Sequence, residues 1–475
     1  MLKDKKIFIL GMARSGYECA KMLSKYNNEI LITDMKEQES NHVEELEKLG
    51  VKFVISSNPN ELLDSSYDYL IKNPGIRKDH ECVLKAKELN IPVINEVEAA
   101  YFFFPKDITI IGITGSNGKT TTTTLIHEML KKADLPVYLG GNIGYPVSSL
   151  VEKVKSGDIL VLEISDHQLV DMYDFKTNIS VLTNLSMVHL DFHDSYETYK
   201  NMKKKIFSYH TSSDIAILNY DDEEVKALTN DIISNKKYFS KAEMVNSYIK
   251  DNAIYCGDKI IDLNDIKIKG MHNYENIMCA IMVAKEFNVS NNVIVEVLKE
   301  FKGVEHRIEY VREVNGKTFY NDAKSTNCEA TITALKSFEK PIILLLGGLD
   351  RGHSFEPLND YLNNVKAIIC YGETKERIKK WCDAINIKCT SFDGLEEATI
   401  EANRISTSGD IILFSPLTVC IIIGPFPFSP TISIFIQPNI LFFSSSSRLE
   451  TNFLDPDLKY SSALKNTIPI LNSSL

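Results

Sequence analysis

Short apolar runs alternate with helix-length segments along most of this chain, and that alternation restricts its fold more tightly than any other feature. KIFIL, EILITD, YDYLIK, ITIIGIT, DILVLEI, ISVLTN, DIAILN, PIILLLGG, AIICYG and DIILFSP each place apolar residues at successive positions. A strand apolar on both sides is buried on both sides, and helices between such strands imply parallel sheets built from βαβ units. The class is therefore α/β. A length of 475 residues suggests about three domains. One boundary falls near Phe104-Pro105, where the chain restarts with a strand and a glycine turn, and another near Val304, after LKEFKG. These give domains over 1–104, 105–304 and 305–416, followed by a distinct tail over 417–475.

Composition narrows the function classes. With 44% hydrophobic and 25% charged residues the make-up is that of a soluble globular protein. A net charge of -11 argues against a nucleic-acid binder, because the phosphate backbone is held by clustered Lys and Arg. A small anionic substrate remains compatible, since a few local cations hold one. The nine cysteines, spread from Cys19 to Cys420, include no CxxC pair and no grouping with histidines. Neither a disulfide framework nor a zinc site is indicated, and a reducing cytoplasm fits. The opening MLKDKKIFILGMARSG leads from a short apolar run straight into a glycine turn. It reads as a first strand and not as a signal peptide.

The most specific local signal is IGITGSNGKTTTTTLIHEML: an apolar strand, a glycine-rich turn and a helix. Gly115 and Gly118 let the backbone bend so that the amides of Ser116, Asn117 and Thr121 face phosphates. Lys119 supplies a cation, and the Thr120 hydroxyl is a magnesium ligand. The spacing is not the strict Walker pattern, because position 113 is Ile and the glycine is Gly112. Two later strands end in Glu163 and lead to His189 and Asp191. In a parallel sheet both ends lie beside the loop, where a carboxylate and an imidazole can complete metal shells. Either alone suits a helix cap or a satisfied polar group equally well.

At the start, FILGMARSGYECAKML is a strand, a turn at Gly11 and Gly16, and a helix, with Asp34 closing the next strand and NPGI making a further turn. By itself this pattern suits an NAD-dependent oxidoreductase as well as any other nucleotide binder.

Taken in order, TGSNGKTT, LEIS, NLSMVHLD, YxxxK, KGMHNYENIMCA, EHRIEY and NDAKSTN resemble the Mur ligases, ATP-dependent amide ligases of bacterial cell-wall synthesis. The Ile113 departure is the variant shared by the Mur ligase and folylpolyglutamate synthetase superfamily. Asn117, GGNIG with Asn142, and GGLDRG are most similar to the D-glutamate-adding branch, and the DNPR signature of the diaminopimelate or lysine branch is absent. The resemblance implies a uridine-nucleotide domain, a central ATPase domain and a smaller Rossmann-like amino-acid domain. It implies ATP and two magnesium ions, with UDP-N-acetylmuramoyl-L-alanine and D-glutamate as substrates. It further implies a cytoplasmic monomer with no nucleic-acid or membrane partner.

Residue by residue, the resemblance implies catalytic roles for Lys119, Glu163, His189 and Lys203, and a metal site of Thr120, Glu163, His189 and Lys203. Lys203 matches a lysine carried as a carbamate, with Lys204 and Lys205 left as surface charge. Asn273, Asn276, Arg307 and Asp322 match ATP-contacting positions. Arg14, Ser15, Asp34, Asn73 and Gly75 match the uridine nucleotide site, while Asn142, Ser165, Lys324, Thr326, Arg351 and Ser415 match further substrate contacts. EISDHQ departs from the commoner ELSSFQ but keeps Glu163, Ser165 and Gln168. Other amino-acid ligases of the superfamily, and a non-catalytic nucleotide-binding remnant, stand as the rival readings.

The remnant arises because the pattern stops at Ser415. From Ile411 to Ser447 no residue is charged, Pro425, Pro427, Pro430 and Pro438 fall within the run, and Ser444–Ser447 follow. Such a run is long enough to cross a bilayer, but its prolines deny it the helix a span requires. An aberrant reading frame after Pro416 is the expectation, with an irregular tail in place of the family's closing helix.

Overall fold

A computed structural model describes residues 2–186, 192–193, 195–304, 307–325, 328–348, 350 and 354–417, with the pairs 433–434 and 443–444. The chain divides into two compact units, Met1–Tyr310 and Val311–Leu475.

The first unit holds two sheets. The smaller has five parallel strands in the order Lys52–Ile55, Glu29–Asp34, Lys6–Leu10, Tyr69–Lys72, Val93–Ile94. Neighbours of Lys6–Leu10 on its two sides are reached by chain paths in opposite directions, which opens a crevice at its carboxyl end. The larger sheet has nine strands. Its parallel part runs Asn235–Ser240, Ile215–Asn219, Ile179–Leu182, Thr109–Thr114, Ile159–Glu163, Val137–Gly141. Thr109–Thr114 therefore lies between the strands that end near Leu182 and at Glu163. Ser247–Lys250, Ala253–Cys256 and Asp258–Asp262 extend the other edge, and the last two pairings are antiparallel.

The second unit holds a six-stranded sheet in the order Glu309–Val314, Lys317–Asn321, Ile411–Leu417, Ile342–Gly348, Val365–Gly372, Cys389–Phe392. Ile411–Leu417 is an interior strand, parallel to both neighbours. Each apolar run named from the sequence is a strand in one of these three sheets. The tail lies outside the described residues, apart from the two-residue strands Ser433–Ile434 and Phe443–Ser444. Among the described residues no helix is long and apolar enough to cross a membrane, and every described cysteine is a free thiol.

Buried polar contacts tie the two sheets of the first unit together. Lys72, at the end of its strand, pairs with Asp171 at 2.6 Å, both nearly inaccessible. Glu98 accepts the amides of Tyr173, Asp174 and Phe175 at 3.0, 2.6 and 3.1 Å. Asn95 caps the helix Glu96–Tyr101 and also donates through Nδ2 to the Gln168 carbonyl. Buried charges persist only when each is matched in this way.

Glu96 is the exception. Its carboxylate accepts the Ser148 amide at 2.5 Å, yet no cation faces it, and its charged neighbour is Glu18 of the adjoining helix Ala13–Leu23. Burial raises it from the ordinary 4.5 to about 7, opposed by the Ser148 donors and aided by Glu18. A carboxyl whose folded value exceeds its unfolded one favours the fold in its protonated form. That contribution is complete below 4.5 and is lost as pH rises through about 7. Glu96→Gln keeps the acceptor and removes the charge. Between about pH 5 and about pH 8.5 the wild type should lose on the order of 1–3 kcal/mol relative to this variant. Thermal melts whose midpoints run parallel across that range would exclude Glu96 as the cause.

Candidate active site

The strand Thr109–Thr114 hands the chain to a loop that only glycine can follow at two points. Gly115 has φ +144°, and a Cβ there would lie 1.9 Å from Thr183 Oγ1; Gly118 has φ +82°, and its Cβ would lie 2.1 Å from Asn276 Oδ1. The segment just past Ile179–Leu182 braces the loop from the side. Thr183 Oγ1 donates to the Asn117 carbonyl at 2.6 Å, Asn184 Oδ1 accepts the Asn117 amide at 2.9 Å, and Ser116 Oγ accepts the Ser186 amide at 2.8 Å. Lys119 opens the helix Lys119–Lys132, and its Nζ turns back to the carbonyls of Gly115 and Ser116 at 2.9 and 2.8 Å. Burial lowers its pKa, while Glu163 and Asp166 pull the other way. Thr120 is buried in the first turn and Thr121 follows it.

Glu163 ends the neighbouring strand and is 2% exposed. Its Oε1 accepts from Asn142 Nδ2 at 2.7 Å, and its Oε2, though buried, has no hydrogen-bond partner among the described residues. A buried carboxylate oxygen is costly to leave unpaired. A hard cation satisfies it, and the Thr120 hydroxyl is an oxygen donor of the matching kind. Among the described residues no group of three or more His, Cys, Asp or Glu side chains could by itself hold a metal ion.

Lys203, in the helix Tyr196–Lys204, is fully buried. Its Nζ lies 3.3 Å from Asp166 Oδ1 and 4.6 Å from the centroid of the Tyr199 ring, and Tyr199 in turn touches Ser116 Oγ at 2.7 Å. Burial, then the charge of Lys119, push Lys203 down to about 7 against the pull of Asp166 and Glu163. Asp166 gathers more than Lys203: His193 Nε2 sits at 2.8 Å and His167 Nδ1 at 3.2 Å, both on Oδ2. Burial opposes its ionisation, but His167, Lys203 and His193 outweigh that and hold it well below the ordinary carboxylate range. Ser165 and Gln168 form a capping box that starts the helix Asp166–Val170.

The loop's other expected partners divide. Asn276 is buried against Gly118, whereas Asn273 Nδ2 bonds the Lys269 carbonyl at 2.8 Å at the start of its own helix. Arg307 is exposed, and its charge reaches Lys119. His189 lies outside the described residues. Lys204 pairs with Asp231 at 2.6 Å. Lys205 corrects the expectation of plain surface charge: it is partly buried and donates to the Val170 carbonyl at 2.9 Å.

In the first crevice, Asp34 Oδ2 accepts the Met12 amide at 2.9 Å, Asn73 Oδ1 accepts the Gly75 amide at 3.1 Å, and Asn73 Nδ2 reaches Ser15 Oγ at 3.4 Å. Arg14 stands 5.8 Å from the Tyr145 ring. The expected nucleotide residues of the amino-terminal part therefore collect at one end of one sheet. In the second unit, Asp322 Oδ2 accepts from Ser325 Oγ at 2.5 Å and Ser415 Oγ at 3.1 Å, and Ser415 meets Thr331 at 2.8 Å. Lys324 is exposed beside this cluster. Thr326 and Arg351 lie outside the described residues. Asp166, His193, Tyr199, Asn184, Ser325 and Thr331 were not singled out from the sequence. Asp166 carried a signal as the departure in EISDHQ, and Tyr199 as the tyrosine of the YxxxK pattern that ends in Lys203.

Comparison with known proteins bears on this geometry. The Mur ligase MurD-like N-terminal domain matches residues 5–95, the Mur ligase middle domain 113–284, and the Mur ligase glutamate ligase domain 306–417. The UDP-N-acetylmuramoylalanine--D-glutamate ligase of Geobacillus sp. (strain WCH70) is 41% identical over 420 residues, 87% of this chain and 93% of that one. Its namesake from Listeria monocytogenes serotype 4b is 41% identical over 421 residues, covering 88% and 92%. Among solved structures, the UDP-N-acetylmuramate-alanine ligase of Thermotoga maritima superposes with a TM-score of 0.55 at 18% identity, covering 87% of this chain and 96% of its own. A Thermotoga maritima MurF ligase in complex with ADP gives 0.54 at 19%, covering 87% and 95%. With these matches spanning both described sheets of the first unit and the sheet of the second, the chain belongs to the Mur ligase family of ATP-dependent amide ligases.

Proposed function

We propose that this chain joins D-glutamate to UDP-N-acetylmuramoyl-L-alanine, converting ATP to ADP and phosphate, in the cytoplasmic synthesis of peptidoglycan precursors. Relatives that share 41% of their residues with it carry that name. The observation that carries the reading is the buried, unpartnered Glu163 Oε2 at the sheet end that also presents Lys119, Thr120 and Lys203.

In this reading residues 1–104 bind the uridine nucleotide through Arg14, Ser15, Asp34, Asn73 and Gly75. Residues 105–304 bind ATP, and residues 305–416 bind the amino acid. The loop amides and Lys119 hold the phosphates. The substrate carboxylate attacks the terminal phosphorus, ADP leaves, and the amine of D-glutamate displaces phosphate from the acyl phosphate. Lys119 contributes a fixed positive charge where the transferred group carries negative charge. Asn142 orients Glu163 through its 2.7 Å hydrogen bond. Two magnesium positions are assigned, one to Thr120 and Glu163 and one to His189 and Lys203 as its carbamate, an anionic oxygen ligand in place of an amine. Bound there, magnesium neutralises charge on the phosphoryl oxygens. Asn273, Asn276, Arg307 and Asp322 are assigned to ATP, and Ser165, Lys324, Thr326, Arg351 and Ser415 to the substrate side.

ADP release should depend on both substrates and fall to background when D-glutamate is left out. Release that persists unchanged without it would defeat the assignment of the amino acid. Lys119→Ala should reduce ligation by at least about 100-fold, since it removes a charge that acts on the transferred group. Ligation within about tenfold of wild type would exclude this loop as the reaction centre. Lys203→Ala should be inactive and regain part of its rate when a small carboxylate is added. Normal turnover without any additive would make Lys203 a structural residue only.

The family's carboxyl-terminal domain matches only as far as residue 417, which favours a second reading in which nucleotide is bound but ligation is poor. Replacing residues from Leu417 onward with the ending of the D-glutamate-adding relatives should raise ligation. An equal rate in both chains would make the present tail a working substitute.

A further inference from the structure

We propose that Asp166 is a positioning residue for Lys203, accepting the one hydrogen that the Lys203 nitrogen keeps once it is carbamylated. The inference rests on the carbamate reading of Lys203 given above. Carbamylation joins the amine nitrogen to the carbon of carbon dioxide. The nitrogen lone pair makes the N–C bond, one C–O π pair moves onto oxygen, and a nitrogen proton passes to solvent base. The product is planar, and its nitrogen retains a single N–H. In a buried site that N–H needs an acceptor.

Asp166 is built to be that acceptor. Its Oδ2 is taken by His193 Nε2 at 2.8 Å and His167 Nδ1 at 3.2 Å, while its Oδ1 faces Lys203 Nζ at 3.3 Å. The side chains of Asp166, His193 and Lys203 are 4%, 3% and 0% exposed. The two imidazoles therefore fix the carboxylate from one side and leave its other oxygen for the lysine nitrogen. Tyr199, whose ring lies beside the same Nζ, offers a face and not an acceptor along that direction. With its N–H directed to Asp166, the planar group is fixed in rotation about the Cε–Nζ bond. In the commoner family pattern a serine stands at this position, with a shorter side chain. This chain holds Lys203 through an acid–imidazole cluster instead.

The test uses the full chain, 13C-labelled bicarbonate and 13C NMR, without nucleotide. The carbamate resonance is assigned to Lys203 by its loss in Lys203→Ala. Asp166→Ser should fold, since the family tolerates serine here, and should lower that resonance by about fivefold or more at equal bicarbonate, the loss expected for one missing buried hydrogen bond. Asp166→Asn, whose amide oxygen keeps the same reach, should retain clearly more carbamate than Asp166→Ser. The bicarbonate concentration for half-maximal signal should follow the same order. Wild-type occupancy in Asp166→Ser, or equal loss in both variants, overturns the role of Asp166 and leaves the carbamate reading standing. Absence of any Lys203-dependent resonance in the wild type defeats the carbamate reading, and this inference with it.

Discussion

The active end of the first unit depends on how closely backbone passes side chain at Gly115 and Gly118. There is no room for a Cβ at either point, because Thr183 Oγ1 and Asn276 Oδ1 already occupy it. These contacts come from a neighbouring strand end and from the helix Met271–Glu286. The phosphate loop is therefore not a flexible glycine segment. It is clamped between two elements far apart in sequence, and its Ser116 and Asn117 amides donate to Asn184. Thr183 and Asn184 bond the Asn117 carbonyl and amide, and the Ser186 amide donates to Ser116 Oγ. That leaves the loop pre-organised, so little reordering is needed when phosphates arrive.

The same sheet end solves an electrostatic problem. The charge of Lys119 helps to lower the proton affinity of Lys203, burial lowers that of both, and Glu163 and Asp166 are the anions that share the space. The two anions are satisfied unequally. Asp166 is held on both oxygens, whereas Glu163 keeps one oxygen without a partner. A fully paired carboxylate is a scaffold; a half-paired one awaits a ligand. The contrast distinguishes the two acids although both lie within the short segment EISDHQ.

The parallel cores were legible because strands buried on both faces write continuous apolar runs. Lys52–Ile55, Asn235–Ser240 and Ser247–Lys250, which escaped notice, each keep residues at the surface. Ser247–Lys250 and Ala253–Cys256 pair antiparallel around Asp251 and Asn252, both with positive φ, the conformation a two-residue hairpin needs. SYIKDNAIYC carried that turn signal, but its polar alternation hid beside stronger runs. At the site, Gly115, Gly118, Lys119, Thr120 and Glu163 were readable from strand–turn–helix chemistry alone. Lys203 was not, since a lysine among lysines reads as a solvated face until the fold buries it. Asp166, in the helix Asp166–Val170, and His193, in the segment before the helix Tyr196–Lys204, meet only in the fold, and no spacing in the chain announces that.

The departure at the carboxyl end meets the fold at an informative place. Ile411–Leu417 is an interior strand of its sheet, hydrogen-bonded on both sides, and Ser415 at its end closes on Asp322 and Thr331. The side chains that form this polar cluster therefore all precede the point where family likeness stops. The strand that carries Ser415 is itself part of the matched domain. An interior strand draws its stability from two ladders and from apolar neighbours such as Phe319, Ile343 and Ile412. Those contacts are local to the sheet, so the Asp322–Ser415 cluster can form whatever follows Leu417.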